Sequence, residues 1–304
     1  MIETAPIKYT FSGHESFQCR NLWLKKGYDY VAQNRSFNDG DAVVALGVGK
    51  NMVASIRFWL KAFNIITPKD EITDFGRHLL ADDGWDPYLE DVASLWLLHY
   101  QLVKNNFAST YHIIFNEFRR EKIEFTRDTY VSYLKKRAQV NPAFPFTENT
   151  AESDFDVFKK MYLSTADEAT SIEDGFSGIL CELNLVRSYK KEKTEWAQGK
   201  EKSSKYDSYY IENEERPNLP AAVFLYAVLD NQSYGKAIAL QSLEHAINSP
   251  GAVFALNRTG LVEKINEITD AERNITYFDH AGIKELQISE EKNPFTVLKQ
   301  YYEG

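Results

Sequence analysis

Apolar residues recur at helical steps through the first third of the chain. Met52, Ile56, Trp59, Leu60 and Phe63 form one stripe, which predicts an amphipathic helix starting at Lys50, with Lys50, Arg57 and Lys61 gathered on the other side. In front of it, Asp39-Gly-Asp41 offers an N-cap to a short apolar helix over 42–46, and Gly47 can end that helix in a left-handed conformation. Behind it, 64–66 reads as a strand, 67–70 as a turn, and 71–74 as a return strand or the cap of a helix over 75–80. A further helix over 22–33 supplies a third packing partner. Short helix, glycine turn, basic second helix and hairpin is the grammar of a winged helix-turn-helix, predicted here for residues 10–82.

Downstream, Leu95, Trp96, Leu98, His99 and Leu102 predict a core helix over 92–103, with His99 packed inside. Asn141-Pro-Ala-Phe-Pro interrupts the helical pattern and suggests a linker over 141–155. A short helix is expected over 176–185, and the lysine-rich run 187–205 reads as a long hairpin tip or wing followed by a strand over 206–212. Pro220 suits the first turn of a helix over 221–229. Core helices are expected over 219–229 and 236–247, and a strand over 253–256. The expected fold is mainly α with small β-hairpins, an α+β chain of three parts. These are a winged-helix domain over 1–83, a helical middle domain over 84–150, and a C-terminal domain over 151–304 with a winged-helix-like segment and the basic loop.

Composition narrows the function. With 304 residues and 43% hydrophobic content the chain can build more than one core. A formal net charge of -9 excludes a protein that coats nucleic acid through overall basicity and leaves only local basic surfaces for that purpose. The two cysteines, Cys19 and Cys181, support neither a disulfide framework nor a cysteine zinc site. No run reaches the eighteen or so apolar residues of a membrane span, and the opening MIETAPIKYTF has no leader pattern, so a cytoplasmic protein without a membrane partner is expected.

Three groups of residues invite chemistry. On the predicted recognition helix, Lys50 and Asn51 would lie near phosphate or base edges and Arg57 and Lys61 near backbone phosphates, with Arg57 the better candidate for guanine. Lys190, Lys191 and Lys193 in the basic run could follow phosphates as well, against the plainer reading of a solvated loop. Gly47-Val-Gly-Lys50 is not a nucleotide-binding loop, because Val44 and Asn51 stand where such a loop needs glycine and a metal-binding hydroxyl. In FSGHESFQCRNLW, His14 and Glu15 could carry acid–base chemistry or ligate a metal while Arg20 holds a phosphate; alternatively Ser12 or Glu15 caps the helix that carries Trp23 while His14 and Arg20 satisfy backbone carbonyls. Asp82, Asp83 and Asp86 form the densest acidic patch and could hold magnesium or manganese; alternatively Asp86-Pro87 starts a helix whose first turns favour acids.

The segments FSGHESF, NLWLKKGYD, ALGVGKNMVASIRFWLKAFNII, ITDFGRHLLADDGWDPYLED and ASLWLLH, with SPGAVFALNRTGLVEKI and YFDHAGIKEL near the other end, resemble the bacterial DUF4007 family over nearly the whole chain. Members include the SspB proteins of DNA phosphorothioate modification and anti-phage systems. The resemblance implies a DNA-binding, DNA-nicking subunit working beside sulfur-transfer enzymes and an ATPase, and hydrolytic nicking would call on a divalent metal. Ala54 departs from the arginine that members often carry there. Two other functions fit the same residues: a non-enzymatic DNA-targeting or regulatory subunit, and a protein-interaction scaffold.

Overall fold

A computed structural model of the chain describes residues 8–164, 177–197, 200–280 and 282–304, without the side chains of 195–202. Phe176 at the start of the expected 176–185 helix, and the Lys200 and Lys202 side chains of the basic run, lie outside the described residues. The fold is mixed helix and strand, with two small antiparallel sheets.

The first helices follow the apolar stripes. Helix α1 (Trp23–Ala32) crosses α3 (Lys50–Ala62), and α2 (Ala42–Leu46) precedes α3 across a three-residue elbow in which Gly47 takes φ 64°, the left-handed cap its lack of a side chain permits. After α3 the chain makes a minimal hairpin, a single antiparallel bridge between Ile66 and Ile72. Thr73 then caps α4 (Asp74–Leu80), accepting from the Gly76 amide at 2.9 Å while donating to the Asn64 carbonyl at 2.6 Å. Arg57 and Lys61 of α3 both reach Asp70 in this hairpin, and so tie it to the helix.

Helix α5 (Val92–Asn105) is the central element, with Trp96, Leu97, Leu98, His99, Tyr100 and Leu102 all fully buried. Around it stand α6 (Ser109–Ile113), which continues through a π-helical turn at Ile114–Phe118 into α7 (Arg119–Glu121), then strand β1 (Glu124–Phe125), α8 (Arg127–Val140) and α9 (Glu148–Tyr162). The proline-bearing interruption is shorter than expected, because Thr147 caps α9 inside the predicted linker. Nor does Asp86-Pro87 open a helix. Asp91 is the cap of α5, and Asp86 braces that start from outside the helix.

Strands β2 (Arg187–Ala197) and β3 (Lys200–Tyr210) form a two-stranded ribbon of eleven registered pairs, and β3 meets β1 only at Tyr209 and Tyr210. Of the expected helix over 176–185, only the 3-10 turn Cys181–Leu183 is present among the described residues.

The last part comprises α10 (Ala221–Asp230), β4 (Ala237–Ala239), α11 (Leu240–His245), α12 (Pro250–Val253), α13 (Arg258–Ala271), β5 (Ile275–His280), β6 (Ile283–Ile288) and α14 (Pro294–Glu303), with sheet order β4-β6-β5. Two expectations are corrected here. Residues 236–247 are not one helix, because Ile238 alternates as the one buried residue between Ala237 and Ala239 and pairs with Leu286. The 253–256 strand is instead the end of α12, started by the Ser249 cap and Pro250, and only Leu256 forms a bridge, to Glu214.

Buried polar groups stitch these parts together. Arg119 donates to the Phe115, Gly251 and Ala252 carbonyls and to Asn213 Oδ1, and burial pulls its pKa down to about 10. His99 bridges Tyr162 Oη at 2.7 Å and the Val253 carbonyl at 2.8 Å, with Nε2–H donating to the carbonyl. Desolvation lowers its pKa to about 3. Unfolded His99 titrates near 6.5, so below that pH the unfolded chain binds a proton that the folded chain refuses. Stability should therefore fall as pH drops from about 6.5 toward 3, by up to about 1.4 kcal/mol per unit from this residue. Urea unfolding at several pH values checks this: His99→Gln should flatten the slope, and an unchanged slope would contradict the assignment.

Candidate nucleic-acid interface

The segment before α1 is shaped by left-handed backbone at Ser12, Gly13, Glu15 and Ser16. These turns drive His14 inward and leave Glu15 outside. His14 is 4% exposed, lies parallel to Trp59 and donates from Nε2 to Asp154 Oδ1 at 2.8 Å. Its Nδ1 accepts the Ser16 amide at 3.1 Å, which fixes the Nε2–H tautomer. Asp154, 5% exposed on α9, also accepts the Ser12 amide at 2.9 Å and the Thr110 hydroxyl at 3.2 Å. Both His14 nitrogens are thus engaged within the core, though not with backbone carbonyls: one meets the Asp154 carboxylate and the other the Ser16 amide, and no side chain caps α1.

Arg20 turns to another side, its guanidinium over the rings of Phe17 and Trp23 at 5.8 and 5.3 Å. It borders a separate cleft with Asn21, Lys26, Glu182 and Asn184. His14, Glu15 and Arg20 therefore do not converge on one point.

Glu15 instead meets the predicted DNA-binding residues. It lines an open groove of about 820 Å³ together with Lys50, Asn51, Arg57 and Lys61 of α3 and the 37–40 loop. Lys50 and Asn51 are exposed at the leading end of α3, next to the Gly47 and Gly49 elbow, where the glycines face open space. Arg57 is engaged differently from the expectation of a guanine contact. Its Nε donates to Asp70 Oδ1 at 3.0 Å and a second nitrogen reaches Oδ2, a bidentate pair that raises the arginine pKa. Burial pushes the Asp70 carboxyl up, but hydrogen bonds from Arg57 and Lys61 outweigh it and hold the carboxyl below its ordinary value. Two of the three cations on α3 are thereby paired within the protein.

The acidic patch does not assemble a cation site. Asp86 is buried and accepts the Glu90 and Asp91 amides and the Ser94 hydroxyl, at 3.0, 2.9 and 2.6 Å. Asp82 accepts from the buried Lys25 ammonium at 2.7 Å, and Asp83 is exposed. Among the described residues no three His, Cys, Asp or Glu side chains are grouped to hold a metal. The described residues do not form a self-contained magnesium or manganese cage.

In the basic run, Lys190, Lys191 and Lys193 all lie on β2, with Lys191 paired to Glu124 on β1. The residues that organise this region and were not singled out from sequence are Asp154, Asp70 and Glu124. For Asp154 a signal exists: it shares the apolar stripe of α9 with Ala151, Phe155 and Phe158.

A family model described as a protein of unknown function, DUF4007, matches residues 11–302. The chain belongs to the DUF4007 family. Two solved structures of SspB resemble this DUF4007 chain at 26% identity, covering 97% of it and 88% of the SspB chain, one magnesium-bound with a TM-score of 0.81 and the other with 0.80. No match is found among curated proteins. Among the described residues no helix is long and apolar enough to cross a membrane.

The Asp154 cluster generates a prediction. Asp154→Ala leaves three buried or half-buried donors without an acceptor and should destabilise the protein by roughly 3 kcal/mol or more. Denaturant unfolding checks this, and a loss below about 1 kcal/mol would remove the cluster from its structural role.

Proposed function

We propose that this protein is the DNA-binding, strand-nicking component of an SspB-type phosphorothioation system, working in the cytoplasm beside sulfur-transfer and ATPase subunits. The likeness to SspB along 97% of the chain is the observation that carries the reading. In support, the α2–elbow–α3 unit presents Lys50 and Asn51 at an exposed helix start beside an open groove, the disposition of a helix-turn-helix whose second helix enters the major groove. The Ile66–Ile72 hairpin would stand as its wing, held to α3 by Asp70. Lys50 then carries the phosphate contact, and Arg57 and Lys61 serve first to position the hairpin. Of the residues considered for the chemistry, Glu15 is the one facing this groove. Magnesium, which one of the SspB structures holds, enters only through that likeness.

The third part supports a protein-facing role. The order β4, α11, α12, α13, β5, β6 with sheet order β4-β6-β5 supports reading this part as a second winged helix, yet the exposed positions of α13 include Glu263, Glu267 and Asp270. The one arginine on that helix, Arg258, is paired with Glu244. Such a surface repels a phosphate backbone, which favours contact with a partner subunit.

Duplex retention across a salt series, with supercoiled plasmid incubated in magnesium and in chelator, tests the proposal. Lys50→Glu should weaken duplex binding and reduce the slope of log affinity on log salt by about one, whereas Asn266→Glu, at an exposed position of the acidic helix, should not change it. Open-circle product that requires magnesium supports the nicking subunit. Retention without cleavage replaces it with a targeting subunit, and absence of retention replaces both with a scaffold.

A further inference from the structure

The β2–β3 ribbon has two chemically different faces. Eleven residues at about 3.3 Å each make it roughly 35 Å long, and only its root is covered by β1. Side chains alternate across a strand, and directly paired residues share a face. On one face stand Arg187, Tyr189, Lys191 and Lys193 from β2, with Ser204, Tyr206, Ser208 and Tyr210 from β3. On the other stand Ser188, Lys190, Glu192 and Thr194, with Ser203, Lys205, Asp207 and Tyr209. The first set has three cations and no acid; the second has two of each, and its Lys205 pairs with Glu192 at 3.3 Å. The backbone register continues the first set with Glu195, Lys200 and Lys202.

The root distinguishes the two faces. Tyr209 of the mixed face is buried against Phe125 and Phe155, so that face meets the body of the protein at the root, while its Lys190, Glu192 and Lys205 further out are exposed. On the basic face, Glu124 reaches over from β1 to Lys191 and Ser208, and Arg187 pairs with Glu214. Beyond the root, Tyr189 and Tyr206 are 41% and 40% exposed in adjacent rows. Tyr189 is steadied by the Tyr210 ring at 5.9 Å and the Lys191 ammonium at 5.5 Å.

A surface that only follows duplex phosphates needs cations, and stacked, paired bases leave exposed tyrosine rings without a partner. Cations interleaved with exposed aromatic rings are what an unpaired strand uses, its phosphates meeting the charges and its bases stacking on the rings. We propose that the basic face of the β2–β3 ribbon is a platform for single-stranded DNA, with Tyr189 and Tyr206 stacking on bases and Arg187, Lys191 and Lys193 following the backbone. This rests on the DNA-binding reading above and assigns the unpaired strand to a surface separate from the α3 groove. Lys190, on the opposite face, is excluded from it.

The test uses the full chain, an end-labelled thymidine 20-mer and a duplex of the same length, read by fluorescence anisotropy. Tyr189→Ala with Tyr206→Ala should weaken single-strand binding at least about tenfold and leave duplex binding within about twofold. Lys193→Glu should also weaken single-strand binding, while Lys190→Glu should not. Glu124→Gln removes the acid that holds Lys191 at the root, leaving Glu214 on Arg187, and should tighten it. Thermal unfolding of each variant establishes that the ribbon's host remains folded. Single-strand affinity unmoved by the tyrosine pair, equal losses for Lys190→Glu and Lys193→Glu, or equal losses of duplex and single strand with the tyrosine pair would each overturn the proposal. Duplex binding that responds to Lys50→Glu, in a protein with no affinity for the 20-mer, would overturn this inference alone; no affinity for either DNA would remove the underlying reading with it.

Discussion

The carboxylate of Asp154, sunk in the body of the protein, is the interaction on which the site depends. An ion there is tolerated only because three donors surround it, the Ser12 amide, His14 Nε2–H and the Thr110 hydroxyl. Through them it fastens the segment before α1 to α6 and α9, elements more than ninety residues distant in sequence. That fastening seats Gly13 against Phe58 of α3, where an added Cβ would lie 2.8 Å from the ring and where φ is 94°. It also turns Glu15 outward. Glu15 and Phe58, which both line the groove, are thus tied to a buried carboxylate.

Electrostatics divides labour among the chain's basic residues. A chain of net charge -9 can engage a polyanion only through local surfaces, and it neutralises many of its own cations. Asp70 takes Arg57 and Lys61, Asp29 and Asp82 take Lys25, and Glu117 takes Arg137. On the ribbon's basic face too, Glu124 takes Lys191 and Glu214 takes Arg187, so the proposed contacts there exchange one partner for another, whereas Lys50 stands at the exposed leading end of α3. The α13 face, acidic where a second recognition helix would be basic, is suited to a protein.

Much of this was legible in the sequence wherever a local rule decides the outcome. The α2–Gly47–α3 elbow follows from an apolar stripe and a left-handed cap, and the family resemblance rests on long contiguous segments. Less legible were features set by distant partners. His14 reads equally as a ligand or as a packed ring until Asp154, 140 residues away, is placed beside it. Arg57 reads as a base contact until the hairpin brings Asp70 back to it. The acidic patch dissolves for the same reason, since Asp86 is consumed by the start of α5 and Asp82 by Lys25. Residues 236–247 look helical because a three-residue strand is too short for its alternation to outweigh the helical spacing that follows. The two faces of the ribbon were readable from the alternation of Arg187, Tyr189, Lys191 and Lys193, but only once the run is known to be strand throughout.

On the proposed reading, DNA is met by the α2–α3 elbow and the ribbon, and not by the acidic third part. Amide hydrogen exchange of the full chain, with and without a duplex bearing a single-stranded tail, addresses it most directly. The account predicts slowed exchange at residues 47–54 and along the ribbon's two strands, with 258–288 unchanged. Protection confined to 258–288, or none along the elbow and ribbon while DNA is bound, would contradict it.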